Sequence, residues 1–234
     1  MSKFIIDGGA KLSGEIAVLG AKNAALKIIP ASLLSDKPIT IKNLPQIEDI
    51  GKALEILKNM GAELEQTGKQ VTIDNSGIDS SKLDHGLANK FRASIMFVGP
   101  LLARFGEVSF PHPGGCVIGA GGRPIDIFLD GFQAMGAEVI IDERSYTLKA
   151  KKLKGTRFFF PKIAVTATES LMMTACLAEG TTIVENSAME PEIPALAEYL
   201  NAQGAKITGA GTPTIKIEGV KELSGCKHRI LPDM

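Results

Sequence analysis

The sequence predicts an α/β (α+β) domain built of three βαβαββ-type repeats, with helices inside and sheets outside. Three observations carry this reading. A Gly-Ala-charged motif recurs as MGAELE at Met60, MGAEVI at Met135 and QGAKIT at Gln203, with its glycines at Gly61, Gly136 and Gly204. Each glycine closes a segment whose apolar residues recur near i, i+3, i+4 and i+7. Each motif is preceded by a second, mostly apolar helical segment, which must be buried on most of its surface.

The segments follow in order. The buried helices are KNAALKIIPASLLS, FRASIMFVGPLLARF and TATESLMMTACLAEG. Each leads into a strand: ITIKNLP, EVSFPHP or TTIVENSAMEP. The amphipathic helices IEDIGKALEILKN, RPIDIFLDGFQA and PEIPALAEYLNA come next, each stopped by a glycine able to adopt the left-handed turn at the C′ position. Two short alternating runs then follow as β-hairpins: ELEQTGKQVTID, EVIIDERSYTLKA and KITGAGTPTIKIE. A leading strand in each unit is expected at GEIAVLG, LDHGLAN and TRFFFPKIAV, the middle one being the weakest pattern. Sheets with one covered and one exposed face suit the alternation of these hairpins.

Composition narrows the function classes. The chain has 234 residues and is 44% hydrophobic, enough for one large core or two small ones. Lys plus Arg and Asp plus Glu number 26 each, so the formal charge is zero. Non-specific nucleic-acid binding needs a basic footprint, which this balance does not supply. Trp is absent and aromatic residues are 5%, which argues against base-stacking platforms. The opening MSKFIIDGG has no secretory pattern, and no apolar run approaches the ~18 residues of a membrane span. The expectation is a soluble, cytoplasmic protein with neither nucleic-acid nor membrane partners. Cys116, Cys176 and Cys226 form no CxxC pair, and neither a disulfide framework, a metal centre nor a cofactor is expected.

The stretch PHPGGCVIGAGGRPID, Pro111 to Asp126, concentrates the chemistry. It holds Gly114, Gly115, Gly119, Gly121 and Gly122, which let backbone approach a ligand closely. Arg123 just before a helix start makes a phosphate site. The glycine spacing fits neither a P-loop nor a dinucleotide fingerprint. A thiol here, Cys116, suits a proton donor or nucleophile, although an unreactive surface cysteine has the same composition. A metal site from His112 and Cys116 lacks further ligands. Cys176 reads as a core residue and Cys226 as an exposed thiol without a role. Glu190 and Glu192 read as acids flanking Pro191 at a helix start rather than as catalytic carboxylates.

On LGAKNAAL from Leu19, FRASIMFVGPLLARFG from Phe91, PGGCVIG from Pro113, RPID from Arg123, LAEGTTIVENSAMEPEI from Leu177 and HRILPD from His228, the chain resembles the UDP-N-acetylglucosamine 1-carboxyvinyltransferase family along essentially its whole length. The resemblance implies an inside-out α/β barrel and transfer of enolpyruvyl from phosphoenolpyruvate to the 3′-hydroxyl of UDP-N-acetylglucosamine, the first committed step of peptidoglycan synthesis. It implies Cys116 as the general acid, able to add covalently to phosphoenolpyruvate and to be alkylated by fosfomycin. It implies Lys22, Asn23 and Arg123 at phosphoenolpyruvate. It implies Arg92, Arg123, Pro124, Ile125, Asp126, Ile127, Lys162, Ile163, Ala164 and Val165 at UDP-N-acetylglucosamine. Lys22 at a helix start is unfavourable dipole chemistry unless an anion sits there; as an isolated residue it reads equally as an ordinary surface lysine, and Arg92 as a solvated arginine.

Two departures from the family pattern are visible. Cys116 and Arg123 are seven positions apart rather than five, because Gly121 and Gly122 look inserted, and Ala164 and Thr166 stand where Ser and Gly are common. The family is also longer, with two similar domains around the active site. By that resemblance residues 1–20 form strands of the other domain, 21–230 the domain bearing the cysteine loop, and 231–234 the start of a crossover. A second domain would bring the family's catalytic aspartate and more phosphate-binding arginines. Three expectations follow: a half-site with incomplete activity; a non-catalytic UDP-sugar-binding or interaction module; or a site completed by two associating chains. An unpaired apolar run such as KFIID invites self-association.

Overall fold

In the computed structural model, described for residues 3–9, 11–90, 92–111, 125–143 and 145–233, the three apolar segments are the innermost helices. They are α1 (Lys22–Ala31), α4 (Val98–Phe105) and α6 (Val165–Ala175). Every residue of α1 from Ala24 on and of α6 from Ala167 on is buried, as expected of mostly apolar helices. The segment before α4 winds as a 3-10 helix over Arg92–Phe97. Because α4 then starts at Val98, Pro100 falls in its first turn, where the missing N–H has no intrahelical partner to lose.

The amphipathic helices α2 (Glu48–Met60), α5 (Asp126–Ala134) and α7 (Glu192–Ala202) each present one apolar stripe inward. Gly61, Gly136 and Gly204 have φ of 108°, 92° and 102°, as the repeated motif predicted for three helix stops.

Three sheets surround the helices. The first has the order β11 (Lys227–Arg229), β1 (Ile39–Lys42), β3 (Gln70–Asp74), β2 (Glu63–Thr67). The third-unit sheet has the matching order β7 (Arg157–Phe159), β8 (Thr181–Glu185), β10 (Thr214–Glu218), β9 (Lys206–Thr208). The middle sheet has β4 (Glu107–Pro111), β6 (Ser145–Lys149) and β5 (Glu138–Ile141). Strands alternate buried and outward positions: in β10, Ile215 and Ile217 face the core between the exposed Thr214 and Lys216.

The leading strands differ from expectation in two units. In the first unit the place beside β1 is taken by β11, parallel to it with Thr40 opposite Lys227, rather than by GEIAVLG. The far end of the chain thus closes the first sheet. In the middle unit a single parallel bridge, Lys82 to Ser109, stands where a strand would, and LDHGLAN from His85 on belongs to a short helix, α3 (His85–Lys90). Its start is set by Asp84, whose Oδ1 accepts the Leu87 amide at 2.9 Å.

Residues 3–9 and 11–19 carry no β-ladder, and Phe4 and Ile16 are 96% and 93% exposed. The packed domain begins at Gly20, which bridges Pro232, while the Ala21 amide donates to the Leu231 carbonyl at 2.8 Å.

The inner helices meet where side chains are small. A Cβ on Gly99 of α4 would lie 2.4 Å from Thr174 Oγ1 and 3.1 Å from the Ser170 carbonyl oxygen of α6. We expect Gly99→Ala to push α4 off α6 and cost about 1–3 kcal/mol, read as a shifted urea midpoint at unchanged slope.

Candidate functional site at the helix starts

None of α1, α2, α4, α5, α6 and α7 has a side-chain N-cap. The cap positions are Ala21, Ile47, Phe97, Ile125, Ala164 and Pro191, whereas caps are ordinarily Ser, Thr, Asp or Asn. α2, α5 and α7 compensate with acids in the first turn: Glu48 and Asp49, Asp126, and Glu192. α1, α4 and α6 have none, and of these α4 alone continues directly from a preceding helical turn, Arg92–Phe97. The starts of α1 and α6 thus carry no acid of their own first turn, the arrangement that receives phosphate or carboxylate from outside.

The residues singled out in the sequence occupy these helix starts. Lys22 and Asn23 open α1 and are exposed. Lys22 Nζ contacts Asp49 Oδ2 at 2.5 Å from the first turn of α2. That pair is half-exposed, so it holds the lysine in place more than it stabilises the fold. Arg92 is exposed at the start of the 3-10 helix that packs on α1. Ile125 is the cap of α5, with Asp126 exposed and Ile127 half-buried in its first turn. Lys162 and Ile163 are exposed and precede the α6 cap, Ala164, whose backbone is extended (φ −141°, ψ 106°). Val165 opens α6. Cys116, Arg123 and Pro124, with His112 and the glycines between, lie outside the described residues.

The starts of α1, α6 and α7 converge. Lys27 Nζ in the second turn of α1 lies 3.3 Å from Glu169 Oε2 in the second turn of α6. Glu192 and Glu190, at the start of α7, act electrostatically on the same carboxyl. Thr168 Oγ1 donates to the Ala164 carbonyl at 2.9 Å and accepts the Ala188 amide at 3.2 Å, tying the α6 cap to the segment that leads into α7. Burial pushes the Glu169 carboxyl up to about 8, opposed by Lys27. Glu190 and Glu192 flank Pro191 at the helix start, as expected, and the Met189 amide donates to Glu190 Oε2 at 3.0 Å.

Sequence reasoning passed over the Lys27–Glu169 pair, although each is a charge within the buried part of a mostly apolar helix. Of the other thiols, Cys176 is fully buried, donates to the Met172 carbonyl, and is pushed up to about 12 by burial. Cys226 is half-buried rather than exposed, and burial pushes it up to about 11; it immediately precedes β11, and its carbonyl accepts the Thr40 amide at 2.9 Å. Both are poor nucleophiles.

A concavity of about 580 Å³ lies elsewhere, at the opposite ends of α4 and α6, between Leu102–Glu107 and Lys149–Leu153. Its charges other than Lys151 are already committed. Arg104 donates to the carbonyls of Leu33, Asn75 and Ile78, Lys149 pairs with Glu107, and Lys152 with Glu179. Size alone therefore does not make it the site. Among the described residues no group of three His, Cys, Asp or Glu could hold a metal ion, and no helix is long and apolar enough to cross a membrane.

Comparison with known proteins places this arrangement. The chain is 46% identical over 233 residues to a protein of Caldanaerobacter subterraneus subsp. tengcongensis named UDP-N-acetylglucosamine 1-carboxyvinyltransferase 3. It is 46% identical over 244 residues to a Chelativorans sp. protein named UDP-N-acetylglucosamine 1-carboxyvinyltransferase. All of this chain is covered in both, against 55% and 56% of the relatives, so it spans little more than half their length. Its fold matches the enolpyruvyl transferase NikO of Streptomyces tendae with a TM-score of 0.81 at 22% identity, over 97% of this chain and 53% of that one. It matches EPSP synthase of Acinetobacter baumannii with a TM-score of 0.73 at 19% identity, over 94% of this chain and 50% of that one. These likenesses give the fold, the inside-out α/β domain expected from the sequence. The EPSP synthase (3-phosphoshikimate 1-carboxyvinyltransferase) family pattern matches residues 6–234, and the chain belongs to that family.

Proposed function

We propose that the protein transfers an enolpyruvyl group from phosphoenolpyruvate to the 3′-hydroxyl of UDP-N-acetylglucosamine, in the cytoplasm and at the first committed step of peptidoglycan synthesis. The carrying observation is the pair of uncapped, acid-free helix starts at α1 and α6, occupied by Lys22 and Asn23 and by Ala164 and Val165. Two polyanionic substrates need such a surface. The names of the 46%-identical relatives supply the substrate pair.

In this reading Lys22, Asn23 and Arg123 hold the phosphoenolpyruvate phosphate and carboxylate. Arg92, Arg123–Ile127 and Lys162–Val165 hold the nucleotide sugar. Cys116 Sγ delivers a proton to C3 as the sugar O3′ bonds to C2 and gives up its hydroxyl proton to the aspartate that the second domain would bring, giving a tetrahedral intermediate. Phosphate then leaves C2 while C3 returns a proton to the Cys116 thiolate, and the C2–C3 double bond re-forms as the enol ether of the sugar. Residues 21–230 form the domain bearing the cysteine, 1–20 belong with a second domain, and 231–234 begin the crossover to it. The exposed Phe4, Ile5, Ile6, Leu12 and Ile16 favour such a partner for the first segment.

Phosphate release from the two substrates, measured with this chain and with Cys116→Ala, tests the reading. Release that falls by about 10²- to 10⁴-fold in the variant supports Cys116 as the acid. Equal release from both contradicts it. The span of little more than half the relatives' length favours a second reading, a UDP-sugar-binding half-site without turnover. That reading predicts UDP-N-acetylglucosamine binding, no release from either protein, and binding unchanged in Cys116→Ala.

A further inference from the structure

We propose that Lys27 and Glu169 form a positioning pair beneath the site, where one buried proton sets how strongly the converging helix starts attract a phosphate-bearing ligand. This deepens the reading above and rests on it for the ligand's identity. The geometry comes first. Lys27 is 6% exposed and Glu169 is fully buried. They face each other at 3.3 Å, yet neither Glu169 oxygen makes a well-directed hydrogen bond among the described residues. A buried ion pair that only served stability would be expected to satisfy its oxygens.

The pair joins two helices whose first turns carry the candidate ligand-facing residues, one turn beneath Lys22 and Asn23 on α1 and Ala164 and Val165 on α6. The Thr168 hydroxyl, next to Glu169, holds the α6 cap carbonyl directly. A change at the pair is therefore transmitted to the amides above it without a moving domain.

The charged groups acting on Glu169 are Lys27 from α1 and Glu192 and Glu190 from the start of α7; none acts from α4 or α5, the other helices packed on α6, among the described residues. Burial, aided by the two neighbouring acids and opposed by Lys27, raises the carboxyl to about 8. Below that pH Glu169 is neutral and the pair carries the lysine's positive charge under the floor. Above it Glu169 ionises, the pair becomes neutral, and the attraction for an anion weakens.

The test is a pH titration of backbone amide shifts in this chain, with and without UDP-N-acetylglucosamine. Without ligand, amides of residues 22–25, 165–168, 190, 192 and 193 are expected to share a midpoint near pH 8, absent in Glu169→Gln. With ligand, one charge about 10 Å from an anion at an effective dielectric of about 30 predicts roughly a fivefold loss of affinity from about pH 7 to about pH 9. Glu169→Gln is expected to show no such loss. The double variant Lys27→Met with Glu169→Met is also expected to be pH-independent, and it serves if Glu169→Gln does not fold. Flat amide shifts in the unaltered chain, or the same midpoint or affinity loss in the variants, overturn the proposal. Absence of UDP-N-acetylglucosamine binding at every pH overturns the functional reading alone, and the pair is then decided by the ligand-free titration.

Discussion

Glu169→Met is expected to cost about 3–5 kcal/mol in urea denaturation at about pH 9, where the carboxylate is ionised, because it leaves the Lys27 ammonium buried without its partner. Lys27→Met together with Glu169→Met is expected to be neutral or stabilising, since two thioether chains of similar length replace the pair. A double variant as damaged as the single one would mean that packing, not charge, dominates at this junction. The unaltered chain has its own pH signature. The folded Glu169 titrates at about 8 and the unfolded one near the ordinary 4.5. Between those values the folded state holds a proton that the unfolded state has released. Stability from this group is therefore complete below about 4.5 and is lost as pH rises to about 8. Glu169→Gln removes that slope.

Ala164→Asp is expected to raise stability and destroy ligand binding together. The extended backbone at Ala164 suits a cap, and an aspartate there would accept the free first-turn amides of α6. The gain is about 0.5–2 kcal/mol, and the added negative charge sits where the proposed anion binds. UDP-N-acetylglucosamine affinity should fall by more than about tenfold, which corresponds to ~1.4 kcal/mol. Ala164→Ser separates the two effects, because it caps without charge and should stabilise with a smaller loss of affinity. Stabilisation by Ala164→Asp with unchanged affinity would show that α6 does not face the ligand. The exchange of stability for function is a common feature of binding sites.

Local patterns made much of this fold readable. Gly61, Gly136 and Gly204 mark three helix ends because only a residue without a Cβ takes that turn freely. The mostly apolar composition of α1 and α6 dictates their burial. What escaped is non-local. β11 replaces GEIAVLG beside β1 because a parallel neighbour is chosen by closure of the whole domain, and its short KHR carries no strand pattern of its own. The middle unit's helix α3 came from the Asp84 cap overriding a weak apolar alternation. At the site, the residue types at the helix starts were readable from the family resemblance. Their shared physical feature, missing caps and missing acids at α1 and α6, became visible only when the helix boundaries were fixed. The Lys27–Glu169 pair was hidden for the same reason: two lone charges 142 positions apart are meaningless until the helices are packed.

The most direct measurement is an amide chemical-shift map of this chain on titration with UDP-N-acetylglucosamine. The account predicts saturable shifts at residues 22–24 and 165–167, where uncapped amides meet the ligand. Shifts confined to the opposite concavity around Leu102–Glu107 and Lys149–Leu153, or none at saturating ligand, would contradict it.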